Sequence, residues 1–318
     1  MSEESGTRER LRAQLTTTPY RVLDGGLATE LAARGFDLTD ALWSARLLHD
    51  APDAIEAVHL DYFEAGADVA ITASYQASFE GFAERGYSRA ETEQLLQRSV
   101  ALARAARNSF LARHRNATRT LLVAASVGPY GAILHDGSEY RGDYGLTEDT
   151  LATFHAPRIA ALLAAAPDLL ACETLPSLLE ARAVVRALRD HSAARAWVTF
   201  TCRDEAHTAA GDAIAECVRF LDAEPQVVAI GVNCVAPALV APLIREIAAG
   251  TDKPIIVYPN SGEVWDASRR CWDGTAARFT AHLDEWMDAG AAWLGGCCRT
   301  TPADIRAVRE AVDARDRD

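Results

Sequence analysis

The stretch "AWLGGCC", residues 292–298, decides the fold because it is the eighth short apolar run in the chain. Helical segments separate the runs, and this alternation is typical of a parallel sheet with crossover helices. Eight is the number of strands that closes a (β/α)8 barrel. The eight runs are "RVLDGG" (21–26), "VAITASY" (69–75), "LLVAASVG" (121–128), "LLACET" (169–174), "WVTFTC" (197–202), "VVAIGVNC" (227–234), "IIVYPNSG" (255–262) and "AWLGGCC" (292–298).

The segments between the runs carry helical patterns with recognisable ends, and the last segment is the clearest. Thr301 is a typical N-cap residue, Pro302 suits the first turn, and Asp304 supplies an acid at the third position. An apolar face follows at helical spacing, made of Ile305, Val308 and Val312. We predict an α/β fold with one domain over residues 1–318, a (β/α)8 TIM-type barrel with an ordered core of about 15–313.

A doubly wound arrangement of two domains is the alternative architecture, because it uses the same alternation of strands and helices. For two such domains we would expect a change of composition near mid-chain and a G-x-G-x-x-G fingerprint after the first strand. The sequence has neither feature. One connection, residues 129–149, is too long for a plain turn and is rich in Gly, Tyr and acids, which predicts a lid or binding loop.

The composition and charge limit the classes of molecule that this protein is expected to bind. The chain has 318 residues, of which 49% are hydrophobic and 24% charged, as expected of a soluble globular protein. Its net charge of -13 repels phosphate backbones and anionic lipid, so we expect neither nucleic acid nor a membrane as a partner. The charged N-terminus lacks the apolar segment of a signal peptide, which predicts a cytoplasmic protein. The sequence leaves open a monomer or a small homo-oligomer.

Three cysteines are predicted to meet at one rim of the barrel. Seven cysteines without an export signal indicate reduced thiols rather than a disulfide framework. Cys234 ends the sixth run, and Cys297 and Cys298 end the eighth, at the strand ends where barrel active sites lie. Three protein ligands with an open fourth position are typical of catalytic zinc. We therefore predict a Zn2+ site, with small buried side chains as the alternative for the adjacent pair.

Two glycines precede the adjacent cysteines. Neighbouring residues of a strand point to opposite faces, so Cys297 and Cys298 can reach one ion only where the backbone leaves strand geometry. We predict that Gly295 and Gly296 supply the conformational freedom for that departure.

The other four cysteines are predicted to be structural. Cys172 should face away from the acid that follows it, Cys217 lies in a helical pattern, and Cys271 lies in a polar loop. Cys202 also ends a run, so a position near the metal stays open for it. The eight histidines occur singly and form no H-x-x-x-H or H-E-x-x-H zinc pair.

Two further polar groups lie at predicted strand ends. Glu173 follows the apolar run "LLAC", where a carboxylate must be paired or used. It either forms a salt bridge with an arginine such as Arg299 or accepts a substrate ammonium group. Asp24-Gly25-Gly26 is either a tight turn or a turn whose backbone N–H groups approach a substrate carboxylate. Together these sites would hold an amino acid by its zwitterionic end.

Seven blocks of the sequence carry a resemblance to a known family: "LDGGLATEL", "ITASYQAS", "SVGPYGAILHDGSEYRGDYG", "CETLPSLLEA", "GVNC", "YPNSGEVWD" and "GGCCRTTP". In this order they resemble the zinc-dependent homocysteine S-methyltransferases, in the stand-alone branch that uses S-methylmethionine or S-adenosylmethionine. The resemblance extends from about residue 20 to about residue 310.

The resemblance implies a (β/α)8 barrel and two sets of site residues. The zinc ligands, which act catalytically through the metal, would be Cys234, Cys297 and Cys298. The residues that bind homocysteine would be Asp24, Gly25, Gly26 and Thr72 at its carboxylate and Glu173 at its amino group.

The implied reaction gives methionine. Zinc coordination would deprotonate the homocysteine thiol, whose sulfur would then take a methyl group from a sulfonium donor. Since the donor is cationic, aromatic and acidic side chains are expected around it. The candidates are Tyr75, Tyr130, Tyr140, Tyr144 and Trp265 for cation–π contact, and Glu139 and Asp143 for charge. For each tyrosine, packing of the long loop on the barrel is the alternative.

Other functions remain in competition. A methyltransferase that uses betaine or a corrinoid as donor would keep the zinc and the homocysteine. Selenocysteine would also serve as acceptor, because a site that activates a thiol would activate a selenol. A non-catalytic barrel that stores or senses zinc would need the thiols, but neither Glu173 nor the long loop.

Overall fold

The computed structural model describes residues 20–37, 43–266, 271–273 and 279–317. Residues 15–19, which the sequence assigned to the ordered core, lie outside this part. The main sheet has eight parallel strands, which are β1 (Arg21–Val22), β2 (Val69–Ile71), β3 (Leu122–Val127), β4 (Leu169–Leu175), β5 (Ala196–Phe200), β6 (Val227–Asn233), β7 (Ile255–Tyr258) and β10 (Ala291–Leu294). Two short strands pair antiparallel with each other, β8 (Val264–Asp266) and β9 (Cys271–Asp273).

The main sheet closes on itself. β1 pairs with β10 on one side, and a parallel bridge between Leu23 and Val69 joins it to β2 on the other. The remaining neighbours follow one another from β2 through β7 to β10. The predicted (β/α)8 TIM-type barrel is therefore confirmed over its doubly wound alternative.

Helices follow the strands and cover the barrel. They are α1 (Leu27–Ala33), α2 (Leu47–Asp50), α3 (Pro52–Ala65), α4 (Phe79–Ala83), α5 (Arg89–Arg113), α6 (Glu148–Ala164), α7 (Leu178–Arg189), α8 (Ile214–Asp222), α9 (Pro237–Ala248), α10 (Leu283–Ala289) and α11 (Pro302–Arg315). Short 3-10 helices span Trp43–Arg46, Tyr130–Ile133, Ser138–Tyr140 and Phe279–His282. None of the described helices combines the length and apolar character that crossing a membrane requires.

Alternate residues along the strands pack in two separate layers. One buried cluster contains Trp197, Tyr258 and Trp293, and Trp197 Nε1 donates to Tyr258 Oη at 3.0 Å. Residues on the opposite faces of the strands, such as Leu170 and Cys172 of β4, belong to the larger core shared with the helices. The barrel interior is filled with side chains, so a substrate has room only at a mouth of the barrel.

Ion pairs around the buried Asp68 lie at the N-terminal mouth of the barrel. Asp68 precedes β2 and accepts a hydrogen bond from Val22 N–H at 2.9 Å. Its carboxylate also pairs with Arg119 at 3.4 Å and with Arg309 of α11. One carboxylate thus connects the first strand with the last helix.

The strands are shorter than the apolar runs that predicted them. β7 ends at Tyr258 and β10 ends at Leu294, so the polar and glycine residues that follow lie in turns. The pair β8 and β9 was not predicted. Cys271 begins β9, so its expected position in a polar loop is wrong, and its side chain lies outside the described part.

The long connection 129–149 is partly helical. It contains two of the 3-10 helices, and its last residues begin α6 at Glu148. Tyr130 N–H donates to Glu180 of α7 at 2.5 Å, and this fully buried carboxylate also binds His155 at 2.9 Å. This buried anchor fixes the start of the connection to the barrel wall.

Candidate active site

Three cysteine sulfurs meet at the C-terminal mouth of the barrel. Cys234 follows β6 directly, and Cys297 and Cys298 follow β10 after two glycines. Cys234 Sγ lies 2.9 Å from Cys297 Sγ and 3.5 Å from Cys298 Sγ. All three thiols are free, and the sulfurs lie within 4.8 Å of one another. The closed barrel thus joins residues 63 positions apart in the sequence.

The spacing of these sulfurs fits a metal ion. Zinc binds thiolate sulfur at about 2.3 Å, so two sulfurs of a tetrahedral site lie roughly 3.8 Å apart. Two of the sulfur–sulfur distances are 2.9 and 3.5 Å, and no two of the three sulfurs lie more than 4.8 Å apart. The tetrahedral value falls within this range. Among the described residues this is the one group of at least three His, Cys, Asp or Glu side chains that could hold a metal.

Electrostatics single out one of the three thiols. Hydrogen bonds from Cys297 and then Cys298 hold the pKa of Cys234 well below its usual range, although burial acts in the opposite direction. The same contacts raise the pKa of Cys297 and of Cys298, because each donates to the Cys234 sulfur. Tyr140 Oη lies 3.7 Å from Cys234 Sγ and lowers its pKa further. Cys234 is therefore the thiol of this group whose contacts favour the thiolate form.

Close packing gives a further reason for the two glycines before Cys297. Neither Gly295 nor Gly296 has a positive φ. A Cβ on Gly295 would lie 2.5 Å from Leu23 Cβ, and a Cβ on Gly296 would lie 2.3 Å from Thr300 Oγ1. The predicted departure from strand geometry occurs, because β10 ends at Leu294, and these glycines also let the thiol turn pack against the chain beyond β1 and against Thr300.

Glu173 lies in β4 with its carboxylate buried at the same mouth. Burial raises its pKa to about 7, against the opposing effect of hydrogen bonds from Ser126 and Tyr258. Arg299 instead binds Glu263 at 2.8 Å, so the salt-bridge alternative for Glu173 is wrong. Ser126 Oγ donates to Glu173, and no cation pairs with this acid among the described residues. A ligand ammonium group would complete its environment.

Asn233 connects this acid to the thiols. Its Oδ1 accepts hydrogen bonds from Thr174 N–H at 2.8 Å and Thr199 Oγ1 at 2.7 Å. Its Nδ2 donates to Thr174 Oγ1 at 2.8 Å and lies 3.9 Å from Cys297 Sγ. Thr174 follows Glu173 and has a left-handed φ of 61°. Sequence reasoning missed this role, for which the signal was the amide near the end of the run "VVAIGVNC".

The Asp24-Gly25-Gly26 turn follows β1 at the same mouth. The buried Asp24 carboxylate accepts from Ile71 N–H at 2.8 Å, and burial raises the pKa of Asp24 well above its usual range. Gly26 N–H donates to Thr300 O at 3.2 Å and is therefore occupied. Gly25 N–H has no hydrogen-bond partner among the described residues. Of the two glycine N–H groups, only that of Gly25 remains available to a ligand carboxylate.

Thr72 supports Glu173 through Ser126. Thr72 Oγ1 accepts from Ser126 N–H at 3.0 Å and lies 2.8 Å from Ser74 Oγ. Ser74 Oγ in turn donates to Ser126 O at 2.7 Å. Contact of Thr72 with a substrate carboxylate stays a prediction, whereas its hydroxyl already fixes the residue that binds Glu173.

Comparisons with known proteins decide the family. The family model described as homocysteine S-methyltransferase matches residues 21–312. The chain belongs to the homocysteine S-methyltransferase family. Homocysteine S-methyltransferase YbgG of Bacillus subtilis is 48% identical over 92% of this chain and 95% of its own length. Homocysteine S-methyltransferase of Escherichia coli is 49% identical over 94% of this chain and 97% of its own length.

A solved structure agrees with this assignment. The metallated form of the homocysteine methyltransferase MmuM from Escherichia coli has a TM-score of 0.87 at 48% identity. The match covers 95% of this chain and 99% of that chain. The family predicted from the sequence blocks is confirmed, and so is the class of enzyme, a methyltransferase, while the methyl donor of the predicted branch stays a prediction.

In this member of the homocysteine S-methyltransferase family, the tyrosines predicted near the donor divide into two groups. The rings of Tyr130 and Tyr144 pack together with centroids 5.4 Å apart, and Tyr130 packs edge-on against Phe154 at 5.1 Å. The packing alternative fits these two residues. Tyr140 reaches the thiol cluster instead, while the side chain of Trp265 lies outside the described residues.

Tyr75 and Glu139 share an environment with the thiols. Burial raises the pKa of Tyr75 well above its usual range, and the charges of Glu139 and Cys234 add to the effect. Burial also raises the pKa of Glu139 to about 7, with a further contribution from the charge of Cys234. Asp143, by contrast, has a side chain that is 74% exposed and pairs with Arg141 at 3.4 Å.

The remaining cysteines stay apart from the family's thiol site. Cys202 packs against the core between the strands and the helices, and it is not part of the three-thiol group. Cys172 faces that same core, away from Glu173, and Cys217 lies in α8, as expected. The position near the metal that the sequence left open for Cys202 is therefore not realised.

Proposed function

We propose that this chain transfers a methyl group from a sulfonium, S-methylmethionine or S-adenosylmethionine, to the thiol of homocysteine, giving methionine. The observation that carries the proposal is the three-thiol cluster, with sulfurs 2.9 and 3.5 Å apart, at the same mouth as the buried Glu173. A metal-activated thiol and an acceptor for an ammonium group are the two features that a thiol amino acid requires.

Cys234, Cys297 and Cys298 would hold zinc as three thiolates. Sulfur ligands favour zinc, and three protein ligands leave a fourth position for a substrate. When bound, zinc supplies the positive charge that deprotonates a coordinating thiol near neutral pH. The lowered pKa of Cys234 supports metal loading, because a cysteine binds a metal ion as its thiolate.

Residues around the mouth would orient homocysteine. Glu173 would accept its ammonium group, held in place by Ser126, and the Asp24-Gly25-Gly26 turn with Thr72 would border its carboxylate. The Gly25 N–H, which has no hydrogen-bond partner among the described residues, supports this arrangement. Holding both ends of the amino acid fixes the direction of its thiol, and such positioning lowers the barrier of a two-substrate reaction.

The transfer step balances without a redox partner. The homocysteine thiol loses its proton to solvent, and the sulfur lone pair forms a bond to the donor methyl carbon. The bond from that carbon to the sulfonium sulfur breaks, and its electron pair stays on the sulfur, which leaves as a neutral thioether. Charge is neutralised in this step, so a mouth that excludes water favours it.

The proposal also includes the domain organisation, cellular location and partners of the enzyme. Residues 1–318 would form one homocysteine-binding barrel domain that acts in the cytoplasm on small molecules. The net charge of -13 supports the expectation that nucleic acid is not a partner.

A donor panel tests the function. Purified protein with homocysteine is given S-methylmethionine, S-adenosylmethionine or betaine, each with and without a chelator, and methionine is measured. We expect methionine from at least one sulfonium, loss of turnover with the chelator, and recovery with zinc but not magnesium. Turnover of betaine alone would contradict the proposed donor class. A protein that binds zinc yet uses no donor would be a zinc-binding barrel without this activity.

A further inference from the structure

Glu139 holds an unpaired acceptor close to the thiols. Its Oε2 is buried and has no hydrogen-bond partner among the described residues. The basic residue nearest in sequence, Arg141, binds Asp136 at 3.5 Å and Asp143 at 3.4 Å instead. A buried polar group without a partner costs free energy, so it is retained where a ligand or a function requires it.

The backbone around Glu139 is held in a fixed position. Glu139 lies in the 3-10 helix Ser138–Tyr140, whose last residue places its hydroxyl 3.7 Å from Cys234 Sγ. A Cβ on Gly131 would lie only 2.4 Å from Glu139 N, so this short helix packs directly on the start of the long connection. The carboxylate is therefore positioned before any ligand arrives.

The surroundings of Glu139 select for positive charge. The buried Glu173 lies at the same mouth, and among the described residues neither Glu173 nor Glu139 has a cationic partner, so two carboxyl groups without a counter-ion lie near each other here. Tyr140 of the same short helix lies beside the thiols, with its Oη 3.7 Å from Cys234 Sγ, and aromatic rings attract cations. A neutral methyl compound would leave the Glu139 carboxylate without a partner, whereas a cation would pair with it.

We propose that the Glu139 carboxylate binds the positive charge of the methyl donor and makes this mouth selective for sulfonium compounds over neutral molecules of the same shape. The inference rests on the proposed function, in which Glu173 takes the ammonium group of homocysteine and leaves the donor charge to a second acid. Glu173 would thus bind homocysteine, and Glu139 would bind the methyl donor.

Equilibrium binding tests this role without turnover. S-Methylmethionine is compared with 2-amino-5-methylhexanoic acid, in which a neutral C–H replaces the sulfonium sulfur, by calorimetry on the zinc-loaded protein. Glu139→Gln removes the charge and keeps the shape, and Glu139→Leu is a second variant without polar atoms. Asp143→Asn is the matched control, because it removes one negative charge from the exposed surface of the same connection.

We expect the wild type and the control to bind the sulfonium roughly 10- to 100-fold more tightly than the neutral compound, which is at the lower end of the coupling between close opposite charges. In both Glu139 variants the ratio should fall close to one, while zinc content and the dissociation constant of homocysteine stay unchanged. An unchanged ratio in both variants would overturn the role of Glu139. Failure of the wild type to methylate homocysteine from any sulfonium would instead overturn the proposed function, and the binding ratio would still decide the role of Glu139.

Discussion

At the scale of single residues, the site keeps a buried acid at the expense of stability. Glu173 accepts a hydrogen bond from Ser126 but has no cationic partner among the described residues, and burial raises its pKa to about 7. A carboxyl group with a folded-state pKa above its unfolded value stabilises the protein below the unfolded pKa. That contribution is lost as the pH rises through the folded value.

Glu173→Gln is therefore expected to stabilise the substrate-free protein at high pH. The pKa moves from 4.5 to about 7, so ionising the wild-type side chain destabilises the fold by up to about 3 kcal/mol above pH 7. The variant should be more stable than the wild type at pH 8, and the difference should shrink towards pH 4.5. Urea unfolding at both pH values measures it, with the exposed Glu84→Gln as control.

The same variant should bind homocysteine poorly, so stability and function move in opposite directions. A wild type that is more stable than Glu173→Gln at pH 8, or a difference independent of pH, would contradict the account of a buried acid without a cationic partner.

At the scale of elements, the strands end early and the functional side chains occupy the turns that follow. The thiol turn lies between β10 and α11, and α11 begins with Thr301 as its N-cap. The Asp304 carboxylate accepts from both Thr301 N–H and Thr301 Oγ1 at 2.8 Å. The start of this helix therefore fixes the chain just beyond Cys298.

Thr301→Ala should loosen the thiol turn, and Ser88→Ala is its matched control. Ser88 caps α5, away from the thiols, in the same way, with hydrogen bonds from its N–H and Oγ to Glu91 at 2.8 and 2.7 Å. Each variant should lose about 1 kcal/mol of stability, as is usual for a lost N-cap. Only Thr301→Ala should weaken zinc binding, by roughly 10-fold, as seen for residues that orient ligands. Chelator competition measures this affinity. Equal zinc affinities in Thr301→Ala and Ser88→Ala would show that the N-cap of α11 does not orient the thiol turn.

The sequence was sufficient to predict the barrel strands from their periodicity and the functional residues that lie at the strand ends. It found the cysteines of the thiol cluster and Glu173, because each follows or ends an apolar run that becomes a barrel strand. It missed contacts that depend on three-dimensional packing. Arg299 binds Glu263, which no spacing indicates, and Gly296 is needed for its distance to Thr300 rather than for its φ.

At the scale of the whole molecule, the closed sheet is what makes a site from distant residues. β6 and β10 are separated by β7 in the sheet, yet the turns at their ends bring sulfurs 63 positions apart to 2.9 Å. The order of strands follows from alternating runs and helices, which explains why the barrel could be predicted. The pair β8 and β9 could not, because its strands are short and pair only with each other.

The measurement that tests the central claim most directly is the zinc content of the wild type and of Cys234→Ala, Cys297→Ala and Cys298→Ala, read with methionine formation in the same samples. Cys202→Ala is the control, since this cysteine also ends a strand run but lies outside the cluster. We expect one zinc per chain in the wild type and the control, and loss of both zinc and turnover in each of the three variants. A wild type that is metal-free under reducing conditions and still active would contradict the account.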